Sequence, residues 1–214
     1  MDIAKKKIIF GIIVPAVFLI LLWCVKLYEY FFEVKFITYG LLPGEISGLI
    51  GILTFPLIHA DFNHLISNSL PILFLGMGTG YFYPSSSYKV YIPVYFVPGI
   101  LMWFFARPSY HIGASAIIYG LAAFIFFSGI IKRDVRSITL ALLVTFLYGG
   151  MIWGVLPLDR GVSWEGHLFG AITGIVCAVI FRKSDPYKRY DWEDEEKDYD
   201  VRDLEISYDK EPPF

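Results

Sequence analysis

A serine and a histidine that open two apolar runs are the residues best suited to chemistry in this chain. Ser115 follows Gly113 and Ala114 at the start of one run, and His167 opens another run much further along the sequence. Polar groups that enter lipid are costly, so they are presumed functional. A serine next to a histidine forms a nucleophile with its general base. The two residues therefore predict nucleophilic hydrolysis at membrane depth.

Six apolar runs must position these residues. The chain has 214 residues, of which 56% are hydrophobic and 18% charged, a composition typical of a polytopic membrane protein. Each run is close to the ~20 residues that a helix needs to cross the hydrocarbon. We therefore predict an all-α membrane protein with six spans. The predicted spans are Ile8 to Val25, Leu65 to Tyr83, Val90 to Ala106, Ala114 to Ile131, Ile138 to Pro157 and His167 to Phe181.

The distribution of cations predicts the orientation of the spans. If the amino end is cytoplasmic, eight cations fall in inside segments and four in outside loops, in agreement with the positive-inside rule. The inside cations are Lys5, Lys6, Lys7, Lys89, Lys132, Arg133, Arg136 and Arg182; the outside cations are Lys26, Lys35, Arg107 and Arg160. We expect a multi-pass protein of the plasma membrane with both termini in the cytoplasm. Ser115 and His167 then share one depth near the outer side.

Two segments lie outside the predicted spans. Residues 26–58, the first outer loop, are too mixed to span but rich in aromatic side chains, which predicts a segment lying in the membrane interface. Residues 183–214 carry 12 acidic and 6 basic residues, which predicts a disordered acidic tail in the cytoplasm. The predicted domains are thus a membrane domain at 1–182 and a tail at 183–214. The bilayer is an expected partner, whereas nucleic acid is not, because the cations form no basic face.

His64 and Asn68 add hydrogen-bond donors at the start of the second span. They are four residues apart and so share one face of a helix. Together with the backbone N–H beside Ser115, such donors could stabilise the negative charge that develops on a carbonyl oxygen during amide hydrolysis. The alternative is that both side chains only form hydrogen bonds between helices.

Small and aromatic residues near the pair predict how the helices approach. His167, Gly170 and Gly174 lie along one face of the last span, and the glycines form a groove where another backbone can come close. A simple packing face explains the glycines but not the histidine above them. Tyr119, one turn after Ser115, is expected to pack against an imidazole ring.

Taken together, these residues resemble the rhomboid family of intramembrane serine proteases over residues 8–182. The resemblance is carried by His59, His64 and Asn68 in the second span, by Gly113, Ser115 and Tyr119 at the fourth, and by His167, Gly170 and Gly174 in the sixth. It implies that Ser115 is the nucleophile, that His167 is the base, and that His64 and Asn68 line the oxyanion site. It also implies that Gly113 permits a tight turn, and that no cofactor or metal takes part. The implied activity is cleavage of peptide bonds in or near transmembrane segments of single-span or other membrane proteins.

Two departures from the family and two rival functions accompany this resemblance. Ala116 stands where the family often has glycine, and the first outer loop lacks the Trp-Arg pair that many relatives carry.

One rival is a catalytically silent relative that binds membrane clients, although such relatives usually lose the serine or the histidine. The other is a metal-dependent enzyme or transporter, but the chain has no His-Glu-x-x-His motif. Its candidate ligands would be His59, His64, His111 and His167. His111 is otherwise expected to be an interfacial loop residue.

Overall fold

The chain folds as a bundle of helices in the computed structural model, which describes residues 3–158 and 161–187. Within these residues there are seven α-helices and no strand longer than a single bridge. The helices are α1 (Ile3–Phe31), α2 (Gly51–Thr54), α3 (Phe62–Phe82), α4 (Ser87–Phe105), α5 (Ser115–Lys132), α6 (Val135–Tyr148) and α7 (Trp164–Ile180). Short 3-10 helices cover Ile37–Tyr39, Ile46–Ile50, Phe55–Leu57 and Gly149–Val155.

Six of these elements correspond to the six predicted spans. In the described ranges, five segments are long and apolar enough to cross a membrane: α1, α3, α4, α5, and α6 together with the 3-10 helix that follows it. The sixth is α7, an apolar helix of 17 residues, which is at the short end of what a bilayer requires. The predicted all-helical bundle is confirmed.

Some helix ends differ from the prediction. Helix α1 continues to Phe31 instead of ending at Val25, because the charge of Lys26 is compensated inside the fold. The Lys26 ammonium lies 3.0 Å from a Glu29 carboxylate oxygen and 3.0 Å from the carbonyl oxygen of His59. Helix α3 begins at Phe62, three residues early, because the Asp61 carboxylate accepts the N–H of His64 at 2.8 Å and so caps the helix.

Helix α5 lies at the centre of the bundle and is packed most closely against α7. Helix α6 also packs on α5, α4 packs on α7, and α3 lies between α1 and α5. A methyl group at Gly170 would overlap the carbonyl oxygen of Ala116, and one at Gly174 would overlap that of Gly120. The glycines thus allow the α5 and α7 backbones to touch. An apolar core surrounds this contact and includes Leu75, Val94, Leu121, Phe124 and Cys177.

The first outer loop braces the segment that leads into Ser115. Leu41 and His111 form an antiparallel bridge, with N–H to carbonyl distances of 3.0 and 2.8 Å. The N–H of Gly113 donates to the carbonyl oxygen of Phe55 at 2.8 Å. The loop lacks the Trp-Arg pair, but Trp103 of α4 donates from its indole nitrogen to the Glu45 carbonyl oxygen at 2.9 Å. A tryptophan from another element therefore anchors the loop.

The first residues of the predicted tail are packed on the bundle. The Asp185 carboxylate accepts the N–H of Ser85 at 2.6 Å and the hydroxyl of Ser86 at 2.6 Å. The Lys132 ammonium donates to the carbonyl oxygen of Ser184. Residues 188–214, which make up most of the predicted acidic tail, lie outside the described residues, so the division at 182 stays a prediction.

Candidate active site

Ser115 and His167 lie side by side across the α5 and α7 contact. Ser115 is the first residue of α5, and His167 lies one turn inside α7. The Ser115 Oγ is 2.8 Å from the His167 Nε2, a normal hydrogen-bond distance. The glycine contact between the two helices sets this separation, because a larger residue at 170 would push the helices apart just below the pair.

The imidazole ring of His167 is held on two sides. The Tyr119 ring stacks on it with centroids 4.1 Å apart and an angle of 8° between the planes. The Nδ1 of His167 lies 2.8 Å from the carbonyl oxygen of Gly154, in the 3-10 helix after α6. His167 is 8% exposed. The ring is therefore fixed in orientation while its Nε2 faces the serine.

Asn68 and His64 approach the same place from α3. Asn68 is buried, and its amide donates one hydrogen bond to the carbonyl oxygen of His64 at 2.7 Å. An amide nitrogen carries two protons, so a second donor remains on Asn68. The His64 ring lies against Gly113, where a Cβ atom would come within 2.7 Å of the ring. Gly113 also has φ +107°, a backbone conformation that favours glycine.

One cavity of about 750 Å³ joins these groups. Its lining includes Ser115, His167, His64, Asn68 and Tyr119. The backbone N–H of Ser115 lies in the first turn of α5, where amide groups have no partner within the helix. A hydroxyl group, an imidazole ring and several N–H donors thus face a space large enough for a peptide segment and water.

Ala116, which stands where the family named above often has glycine, does not line the cavity beside Ser115. Ala116 is buried in a small apolar cluster with Leu41, Phe55 and Met102. Its methyl group therefore contributes to packing between the first outer loop, α4 and α5.

His59 lies against the backbone of the segment that leads into Ser115, and it is buried, at 2% exposure. Its Nε2 is 3.5 Å from the backbone nitrogen of Ala114, and its ring packs edge-on against His64 at 5.0 Å. Burial, and then the proximity of His64, lower the pKa of His59 to about 4. His59 is therefore neutral at pH 7 and able to accept a hydrogen bond from this segment.

His111 lies in the loop between α4 and α5, and it is buried there. It is 2% exposed, because the bridge to Leu41 holds its backbone under the first outer loop. Its Nδ1 lies 2.6 Å from the Ser163 hydroxyl and its Nε2 lies 3.1 Å from the Arg107 carbonyl oxygen. Burial lowers the pKa of His111. This side chain ties the segment before Ser115 to the start of α7.

A partly buried ion pair supports the same junction. The Glu165 carboxylate, 3% exposed, lies 3.5 Å from the Arg107 Nε. The Arg107 guanidinium also donates to the carbonyl oxygen of Val162 at 2.5 Å. No pattern in the sequence connects Glu165 with Arg107. Their pairing became apparent only when the fold brought the end of α4 to the start of α7.

The four histidines do not converge on one point. His59 packs with His64, His111 bonds to Ser163, and His167 faces Ser115. Within residues 3–158 and 161–187, no group of three His, Cys, Asp or Glu side chains is arranged to hold a metal ion.

The family of the chain follows from comparison with known proteins. A model of the rhomboid domain matches residues 46–184, which is more than half of the chain. The chain belongs to the rhomboid family. With its long apolar helices, this makes it an integral membrane protein. The rhomboid match begins after α1 and ends at Ser184, so it includes His64, Asn68, Ser115 and His167 and the first part of the predicted tail.

Relatives extend the similarity over most of the chain. An uncharacterized protein of Mycobacterium tuberculosis is 33% identical over 185 residues, which cover 80% of this chain and 77% of the relative. An uncharacterized protein of Mycobacterium leprae is 34% identical over 172 residues, or 76% of this chain and 68% of the relative. A putative rhomboid protein of Acanthamoeba polyphaga mimivirus is 25% identical over 142 residues, or 63% and 77%.

Proposed function

We propose that this rhomboid protein is an intramembrane serine endopeptidase. The observation that carries the proposal is the 2.8 Å separation of the Ser115 Oγ and the His167 Nε2 in a cavity that also contains Asn68 and His64. A catalytically silent relative would need neither a serine hydroxyl within hydrogen-bond distance of a buried histidine nor donors on the opposite wall.

The reaction would proceed through an acyl-enzyme. The Ser115 Oγ attacks the carbonyl carbon of the scissile peptide bond while its proton passes to the His167 Nε2. The carbonyl oxygen becomes negative and accepts hydrogen bonds from the Asn68 amide, the His64 ring and the Ser115 backbone N–H. His167 then gives its proton to the leaving nitrogen, and the bond breaks. A water molecule in the cavity, activated by His167, hydrolyses the ester and regenerates the serine.

The substrates would be transmembrane segments of single-span or other membrane proteins. Supporting this class, an apolar cavity of about 310 Å³ lies between α3 and α6 and is lined by Phe74, Gly78, Leu143 and Leu147. This cavity shares Tyr148 with the cavity that contains Ser115, so α3 and α6 leave an apolar gap beside the candidate site. The protein would reside in the plasma membrane with both termini in the cytoplasm, so that the cavity opens on the outer side, in keeping with the cation distribution.

Reconstitution with a single-span substrate tests the function. The full chain and its Ser115→Ala variant are incorporated into liposomes with a tagged single-span protein, and fragments are identified by mass spectrometry. We expect cleavage in or near the transmembrane segment by the wild type and none by the variant. A folded wild type that cleaves no member of a panel of such substrates, and binds them equally with and without the Ser115 hydroxyl, would favour the silent relative.

Chemical labelling separates the serine reaction from a metal-dependent one. A fluorophosphonate should label the wild type at Ser115 and leave Ser115→Ala unlabelled, because labelling requires an activated hydroxyl. Chelators should leave cleavage intact. Cleavage that is lost with a chelator, restored by zinc and indifferent to Ser115→Ala would overturn the proposal.

A further inference from the structure

Both ring nitrogens of His167 have a partner, and the two partners differ in kind. The Nε2 faces the Ser115 hydroxyl at 2.8 Å, and the Nδ1 faces the Gly154 carbonyl oxygen at 2.8 Å. A carbonyl oxygen only accepts hydrogen bonds, so the Nδ1 must carry a proton. In a neutral imidazole the other nitrogen is then unprotonated. The Gly154 carbonyl therefore selects the tautomer in which the Nε2 can accept the serine proton.

We propose that the Gly154 carbonyl group is the positioning group of the Ser115 and His167 pair, and that the Gly149–Val155 helix, called here the α6 arm, must be docked for His167 to act as a base. The role as a base rests on the proposed function. In serine proteases with a triad, a carboxylate fixes the tautomer of the histidine. Here a backbone carbonyl on a separate element occupies that position.

A second tether attaches the α6 arm to the same ring system. The Tyr119 hydroxyl donates to the carbonyl oxygen of Met151 at 2.7 Å, and the Tyr119 ring is stacked on His167. The arm thus holds the imidazole directly through Gly154 and indirectly through Tyr119. Displacement of the arm would release both restraints while leaving α5 and α7 in contact.

The residue type at position 154 is dictated by this contact. A methyl group on Gly154 would overlap the Tyr119 hydroxyl and come within 3.1 Å of the His167 Nδ1. The other glycines of the arm are under no such restriction. A methyl on Gly150 would meet nothing within 4 Å, and one on Gly149 would meet only the Thr145 side chain at 3.7 Å. Gly150→Ala and Gly149→Ala are therefore matched controls for Gly154→Ala.

The α6 arm is packed weakly enough to undock from His167 and dock again. It is a 3-10 helix, whose hydrogen-bond geometry is poorer than that of an α-helix. None of its residues is buried, and Ile152 and Trp153 are each 65% exposed. The hydrogen bonds to Tyr119 and His167 therefore link the state of the arm to the tautomer of the base.

The histidine tautomer tests the proposal directly. The chain has four histidines, so full-length protein labelled with nitrogen-15 in histidine and held in detergent micelles gives four ring systems, and His167 is assigned by its loss in His167→Asn. We expect the wild type to show His167 protonated at Nδ1 and not at Nε2. Gly154→Ala should shift it toward the Nε2-protonated form, and Gly150→Ala should retain the wild-type signals. A wild type with His167 protonated at Nε2 would overturn the proposal.

Kinetics on the same variants provide the second readout. Gly154→Ala should lower kcat by roughly 10- to 10⁴-fold, the upper figure being the effect of a wrong histidine tautomer in a protease with a triad, with little change in KM. Tyr119→Phe removes the other tether without adding volume, so it should give a smaller fall in kcat and a mixed tautomer even if Gly154→Ala folds poorly. A wild-type tautomer in Tyr119→Phe together with wild-type kcat in Gly154→Ala would refute the role of the arm. Because the tautomer is read without substrate, a wild type that cleaves nothing overturns the proposed function alone.

Discussion

The contact between α5 and α7 and the docking of the α6 arm restrain the same site in opposite ways. The first is a backbone-to-backbone contact in which Gly170 and Gly174 leave no room for even a methyl group. The α6 arm is instead exposed: Trp153 in the arm is 65% exposed, and Phe146, near the end of α6 before it, is 86% exposed. The arm contacts the site through two hydrogen bonds. The distance between Ser115 and His167 is thus fixed by close packing, whereas the orientation of the ring depends on an element that packs loosely.

The separation of Ser115 and His167 and the orientation of the His167 ring therefore depend on separate parts of this membrane protein. Close-packed backbones have low compressibility, so they hold a separation of 2.8 Å reliably. Lateral entry of a helix requires some element to move, and the α6 arm can move without changing that separation. The predictions below ask whether the two parts are as independent as the contacts indicate.

The largest effect is expected from the pair itself. Ser115→Ala and His167→Ala should each reduce turnover by about 10⁴-fold or more, and the double variant should be no worse, because the two residues act as one unit. Turnover is measured in liposomes, and thermal stability is measured alongside it. Substantial activity in either folded single variant would contradict the assignment of the pair.

Glycine substitutions in the two regions should differ sharply. Gly170→Ala and Gly174→Ala overpack the α5 and α7 contact, so each should lower the free energy of unfolding by about 1–3 kcal/mol and reduce activity with it. Gly150→Ala, in the arm, should leave stability unchanged. The midpoints of thermal unfolding provide the measurement. Equal stability of all three variants would mean that α7 does not press against α5 as described.

Asn68→Ala should have an intermediate effect on turnover. Removal of one of several oxyanion donors typically costs ~2 to 4 kcal/mol of transition-state stabilisation, or roughly 10- to 1,000-fold in kcat. Stability should change less, since the amide bonds only to the His64 carbonyl within its own helix. If the variant melts earlier but turns over normally, Asn68 is a structural link between helices.

Lowering the pH should destabilise the protein, because it favours the protonated form of His59, which the fold disfavours. The pKa of His59 is about 4 in the fold, because burial and His64 oppose its charge, and near 6.5 when unfolded. The unfolded chain therefore binds more protons between these values, so stability is full above pH ~6.5 and falls as the pH is lowered toward 4. The loss at pH 5 should be on the order of 2 kcal/mol. Unfolding curves of the wild type and His59→Gln at pH 7 and 5 measure it, and an equal pH dependence of the two would contradict the assignment.

The smallest effect on activity is expected from the junction between His111 and Ser163. His111→Ala removes hydrogen bonds to Ser163 and to the Arg107 carbonyl oxygen, whereas Ser163→Ala removes the first of these. Each lost bond should cost about 1 kcal/mol of stability, with turnover reduced by less than about 10-fold. The double variant should be little worse than His111→Ala, because the two side chains share one contact. Loss of activity in His111→Ala as complete as in His167→Ala would instead revive the metal-dependent mechanism.

The number of spans, their order and the two residues of the pair can be predicted from the sequence. Long apolar runs can only be helices in lipid, because the backbone must satisfy its own hydrogen bonds there. Within such runs, Ser115, His167 and Asn68 stand out as polar groups, and the glycine spacing on α7 indicates a packing face. These signals are local in the chain and need no knowledge of neighbouring helices.

The contacts that surround the pair depend on how the helices pack. The Gly154 carbonyl leaves no trace in the sequence, since every residue has a carbonyl group and only the fold decides which one meets His167. The contacts of His111 with Ser163, of Arg107 with Glu165 and of Trp103 with the first outer loop join residues more than 50 positions apart. Such contacts follow from how the helices pack, because side chains distant in the chain become neighbours only after the glycines and the apolar core have set the separation of the helices.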